Sequence, residues 1–109
     1  MNNAKEKLES YKINKILKKD LENELKHNST NEFIKNEYIK LDNELKLIET
    51  IITNLSQPYK SILYYKFIKE DSYQNIAIKL NYSIQRIYQL LNESFKKFEE
   101  NYQNALKQK

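Results

Sequence analysis

Glycine, cysteine and tryptophan are all missing from this 109-residue chain, and proline occurs once. Each absence removes a class of structure or chemistry. Without glycine there is no phosphate-cradling loop and little of the turn chemistry on which hairpin-rich sheets depend. Without cysteine there are no disulfides and no thiolate metal sites, and the redox compartment is left open. The longest uninterrupted apolar run is ILYY, too short to cross a bilayer, and the N-terminal MNNAKEKLES has no apolar stretch of signal-peptide length. The single histidine, His27, falls in an expected loop, and the neighbouring Glu99 and Glu100 point to different faces of a helix, so no acid–base pair or metal cluster is in view. These absences predict an all-α, non-enzymatic, cytoplasmic protein with no cofactor, no metal and no membrane partner.

What is present needs reading by position. Eighteen lysines against one arginine, with many Asn, Ile and Tyr, is the composition an A+T-rich coding sequence produces, so raw counts say little. Residues 1–57 balance ten Lys with ten Asp or Glu, and residues 99–109 balance two with two. The whole net charge of +4 therefore lies in residues 58–98, where six Lys and Arg86 face only Glu70, Asp71 and Glu93. A localised basic excess is the footprint of a phosphate-binding surface, or of a solvated helix face.

The pattern divides the chain at residues 55 and 56. Residues 1–55 read as a coiled-coil-like hairpin of two long helices. The first, over about 3–26, carries Leu8, Tyr11, Ile13, Ile16, Leu17, Leu21 and Leu25. The second, from about Asn31, carries Ile34, Tyr38, Leu41, Leu45, Ile48, Ile52 and Leu55 at alternating spacings of four and three, a heptad seam. Ser29, Thr30 or Asn31 can cap it. The seam serves either as the hairpin's own core or as a protein interaction surface.

Residues 56–109 read as a second unit. Ser56 and Pro58 start a helix near Gln57 that runs to about Lys69, with Ile62, Leu63, the stem of Lys66 and Phe67 turned inward and Tyr59 and Tyr65 nearby. Ser72 caps a further helix from Tyr73. In SYQNIAIKLNYSIQRIYQLL two amphipathic segments then meet at LNYS. Ala77 suits a close helix crossing, Asn81 follows four residues on where a tight turn needs left-handed backbone, and Ile87 falls on the next helix. Asparagine is the best substitute for glycine in that conformation. The flanking positions Ile76, Leu80, Tyr82, Ile87 and Leu90 are all apolar, and Ser83 caps the second helix. The break reads as the turn of a helix-turn-helix.

Residues 55–100, LSQPYKSILYYKFIKEDSYQNIAIKLNYSIQRIYQLLNESFKKFEE, resemble region 4 of bacterial sigma factors. The match falls on Leu55, Leu63, Tyr73, Ile76, Ala77, Leu80, Ser83, Ile87, Leu91, Phe95, Lys97 and Phe98, under half of the chain. Asn75 stands where that family has an acidic residue, and Asn81 where it has the turn glycine. Residues 1–54 are too short and too poor in aromatics for promoter melting, so a complete sigma factor is not expected. A long helical segment before such a motif is similar to the small phage and prophage transcription regulators of the ArpU and RinA type.

Turning Ile84, Ile87, Leu91, Ser94, Phe95 and Phe98 inward places Gln85, Gln89, Asn92 and Lys96 on the opposite stripe, flanked by Arg86 and Tyr88. Gln and Asn pair with the major-groove edge of adenine, and Arg with guanine or phosphate, so Gln85, Arg86, Tyr88, Gln89 and Asn92 are the expected base contacts over helix 84–98. Lys60, Lys69, Ser83, Lys96 and Lys97 are the expected phosphate contacts. Beyond the motif, Leu91, Phe95, Phe98, Tyr102 and Ala105 keep a four-three spacing, so the last helix must pack on the hairpin or on a second copy. Two function classes follow. One is a sequence-specific regulator that binds double-stranded DNA, preferably as a homodimer joined through Ile34, Tyr38, Leu41, Leu45, Ile48 and Ile52. The other is an RNA polymerase-binding module, the DNA-reading part of a split sigma factor.

Overall fold

The computed structural model describes residues 3–107, and every regular element among them is helical. The order is α1 (Asn3–Glu9), α2 (Tyr11–His27), α3 (Glu32–Asn54), α4 (Tyr59–Leu63), a π-helical turn (Tyr64–Ile68), α5 (Tyr73–Leu80) and α6 (Ile84–Lys107). No helix is long and apolar enough to cross a membrane among the described residues.

The single helix expected over 3–26 is bent into two at Ser10. Its backbone stays near helical values (φ −86°, ψ −5°), its N–H donates to the Glu6 carbonyl at 2.9 Å, and its carbonyl accepts from Asn14 at 2.9 Å, so hydrogen bonding carries around the corner. The bend serves two different partners. α1 lies along α6, where the Ala4 N–H donates to a Glu99 carboxylate oxygen at 3.2 Å and the Lys5 ammonium sits 5.0 Å over the Phe95 ring. α2 instead pairs with α3. His27 is the last residue of α2 rather than part of the loop.

α2 and α3 run in opposite directions. Tyr38 donates to Glu22 at 3.3 Å, Lys18 meets Asp42 at 2.7 Å, and the Tyr11 hydroxyl donates to Glu49, so partners rise along one helix as they fall along the other. Lys18 and Lys46 together hold the Asp42 carboxyl below its usual range. Of the three capping candidates, Asn31 is the one used, its side-chain oxygen accepting from the Ile34 N–H at 3.1 Å.

The next helix begins at Tyr59, not Gln57, and Ser56 does not cap it with its side chain: Gln57 Oε1 accepts from both the N–H (3.2 Å) and the hydroxyl (2.6 Å) of Ser61. After Leu63 the helix widens into the π turn, with the Lys69 N–H donating to the Tyr64 carbonyl at 3.0 Å and the Asp71 N–H to that of Tyr65 at 2.9 Å. The added residues rotate Phe67 and Ile68 toward the rest of the chain, where both pack on the core.

One hydrophobic core draws on all these elements: Ala4, Leu8 and Tyr11, then Leu45, Ile48, Ile51, Ile52 and Leu55, then Ile62 and Leu63, then Ile76 and Ala77, and finally Ile87, Leu90, Leu91, Phe98 and Tyr102. The boundary drawn between residues 55 and 56 therefore separates elements but not cores. α6 crosses the whole assembly, about 36 Å long at 1.5 Å per residue. Its inner stripe includes the fully buried Ser94, whose hydroxyl donates to the Leu90 carbonyl at 2.7 Å and so leaves no polar group unsatisfied.

Candidate nucleic-acid interface

α5 and α6 meet through a turn built from local bonds. Ser72 caps α5, its Oγ accepting from the Asn75 N–H at 3.1 Å. At the other end Asn81 lies at φ 61°, ψ 43°, the left-handed region. Its N–H donates to the Ile78 carbonyl at 3.3 Å and the Tyr82 N–H to the Ala77 carbonyl at 3.0 Å, the paired closure of a Schellman C-terminus. Ser83 then caps α6: Oγ accepts from the Arg86 N–H at 3.1 Å and its carbonyl from Ile87 at 3.0 Å. Ile76 and Ala77 on one helix and Ile87 and Leu90 on the other are buried.

Two apolar positions depart from expectation. Tyr82 and Ile84 are exposed, and with Ile78, 78% exposed, they lie around a shallow hollow beside the turn. Leu80 is half-buried. The three-residue turn is too short to fold Tyr82 under either helix, and Ile84, in the first turn of α6, precedes the point where α6 reaches the core.

Gln85, Arg86, Tyr88, Gln89, Asn92 and Lys96 are all exposed on α6. Arg86 donates to Gln89 Oε1 at 3.1 Å, so two of the expected base contacts hold each other. Tyr88 rests on Tyr73, ring centroids 5.0 Å apart, and the Lys66 ammonium stands 4.0 Å over the far ring. Burial raises the Tyr73 hydroxyl pKa, with smaller upward pushes from Tyr88 and Glu9. This Lys66–Tyr73–Tyr88 stack was not expected from sequence, because it joins three elements whose packing no local pattern reveals.

The expected phosphate contacts are not gathered in one place. Lys96 shares the polar stripe, whereas Lys97 turns to the α4 flank, 5.2 Å over the Tyr59 ring, near half-buried Lys60. Lys69 lies past the π turn, 5.7 Å over Tyr64. Lys79 is paired with Asp71 at 2.6 Å, so its ammonium is engaged within the chain, while the net excess of residues 58–98, which already counts Asp71, stays the same.

The heptad positions face inward. Leu45, Ile48 and Ile52 are at most 4% exposed within the single chain, and Ile34, Tyr38 and Leu41 are half-buried. The lower half of the seam is thus occupied by the chain's own core and is not open to a partner. The apolar side chains left outside on these helices are Ile13, Ile16, Leu17, Phe33 and Ile39. Comparison of the chain with family models, curated proteins and solved structures finds no match.

Proposed function

We propose that this chain is a sequence-specific DNA-binding transcription regulator that reads the major groove with the N-terminal half of α6, in the manner of a region 4-like helix-turn-helix. The observation that carries the reading is the exposed amide stripe of Gln85, Gln89 and Asn92 mounted immediately after a tight, doubly hydrogen-bonded turn. A major groove admits one α-helix, and amide side chains pair with both the N6 and N7 of adenine. The Arg86 to Gln89 bond restricts both side chains before binding, which lowers the ordering cost of recognition. The positive end of the α6 dipole, with the Ser83 hydroxyl, favours a phosphate there. A few scattered lysines give modest phosphate affinity, so a second copy, joined through the apolar side chains left exposed on α2 and α3, supplies the remaining specificity.

The test is selection of a binding site from random duplexes, followed by anisotropy titrations across a salt series. Specific binding of duplex by the protein alone, weakening steeply as salt rises, supports the reading. Absence of any preferred site overturns it. A second reading, an RNA polymerase-binding module, is favoured by the exposed apolar cluster Ile78, Tyr82 and Ile84 beside the reading helix, which duplex DNA does not require. Protection of a single half-site only when polymerase is present would select that reading.

A further inference from the structure

Away from α6, the junction of α2 with the π turn holds a cavity of about 210 Å³. Its floor is apolar, formed by Tyr11, Ile16, Phe67 and Ile68, and its rim carries Lys12, Lys15, Lys19 and Glu70. Lys12 and Glu70 neutralise each other at 2.8 Å, so the uncompensated rim charge comes from Lys15 and Lys19. A second, shallower depression adjoins it along α2, sharing Lys15 and Lys19 and adding Lys18 and Glu22, with Lys18 engaged by Asp42. Small-molecule sites usually exceed about 300 Å³, so this volume suits one large side chain rather than a ligand. The backbone that shapes the cavity is unusual: Phe67 and Ile68 belong to the π turn, and Glu70 just after it adopts φ 59° without being glycine.

We propose that this cavity is a docking site for an acidic protein segment that inserts one large apolar side chain, with its flanking carboxylates on Lys15 and Lys19. Charge complementarity selects this occupant. A nucleic-acid backbone would use the lysines but leave the apolar floor unfilled, and an uncharged helix would leave the rim unpaired. The cavity shares no residue with the polar stripe of α6, so the proposal does not depend on base readout; it shares Ile16 with the apolar face assigned to a second copy.

The experiment titrates the intact protein into a fluorescein-labelled peptide of sequence Glu-Glu-Phe-Glu-Glu-Glu. Two comparison peptides replace the phenylalanine by alanine or the glutamates by lysine. Saturable one-to-one binding of the first peptide is expected, weakened about tenfold by loss of the aromatic ring and about tenfold by Lys15→Glu with Lys19→Glu. Ile16→Lys should weaken it equally, and Leu106→Ser, an exposed apolar position outside the cavity lining, should leave it unchanged. The altered positions are exposed, so circular dichroism should match wild type. Equal binding of the alanine peptide, or no saturable binding of any acidic peptide, overturns the proposal. If instead the Lys15→Glu, Lys19→Glu variant loses affinity for a random duplex while no peptide binds, the surface is a flank of the DNA interface.

Discussion

Asn81 holds the left-handed backbone that glycine commonly supplies after a helix C-terminus. The left-handed backbone there costs a residue with a Cβ roughly 1–2 kcal/mol, less for asparagine, which tolerates that region best among the others. Asn81→Gly should therefore be neutral or slightly stabilising, and Asn81→Val should cost about 1–2 kcal/mol; thermal melts giving equal stability for the two would remove the turn from the account. Two buried tyrosines make a different kind of prediction. Burial, then hydrogen bonding to Glu44, pushes the Tyr102 hydroxyl up to about 12, and burial followed by Glu49 moves Tyr11 in the same direction. Both stay protonated in the folded chain when the unfolded chain, near the ordinary value of 10, has already lost the proton. Stability contributed by these groups is therefore intact below pH 10 and is lost as pH rises toward about 12. Melting temperature should fall across that window, and the Tyr11→Phe, Tyr102→Phe double variant should fall less from its own lower starting point. A parallel decline in both proteins would assign the alkaline loss to other groups.

α6 combines two tasks in one element, packing along its inner stripe and presenting polar side chains along its outer one. Because the stripes do not overlap, readout and stability should separate on mutation. Gln85→Ala and Gln89→Ala should each lose about 1–3 kcal/mol at a selected adenine-containing site and little on random duplex, with unchanged melts. Lys96→Ala should weaken both duplexes alike. Lys97, held over Tyr59, should affect DNA less than Lys96, reversing the equivalence their adjacent positions suggest. Ser83 acts at the junction: Ser83→Ala should cost about 1 kcal/mol of stability by loss of the cap to Arg86, whether or not DNA is bound. Gln variants that bind the selected site like wild type would show the reading face to be wrongly drawn.

For the whole molecule, the shared core decides which substitutions can test assembly. Leu45 and Ile48 are buried within one chain, so Leu45→Ala or Ile48→Ala should cost about 2–5 kcal/mol regardless of any partner. Charged substitutions there would unfold the monomer and report nothing about a dimer. Ile13 and Leu17, 62% and 46% exposed on α2, are the informative positions. If a second copy joins through this face, Ile13→Lys with Leu17→Lys should halve the mass seen by light scattering without lowering the melting temperature. A wild-type mass already equal to one chain would place any dimer contact elsewhere or on the DNA.

The sequence by itself determined what depends on neighbours a few residues away. Absence of glycine and the four-three apolar spacing specify helices; Asn31, Ser72 and Ser83 mark three of their starts, because capping is a bond between residues i and i+3; Asn81 marks the tight turn between α5 and α6, because asparagine tolerates left-handed backbone better than most residues. Periodicity also shows that a face is apolar, but not what covers it. Tertiary structure decided that the seam is covered by α2, α4 and α6 of the same chain, that the first helix bends at Ser10 to serve α6 and α3 at once, and that Ile84 stays outside. It also decided charge: Lys97 is taken by Tyr59, a pairing set by how α6 stacks on α4 rather than by spacing. The cavity between α2 and the π turn is the extreme case, since its floor and rim come from residues more than forty positions apart that meet only when the chain has folded.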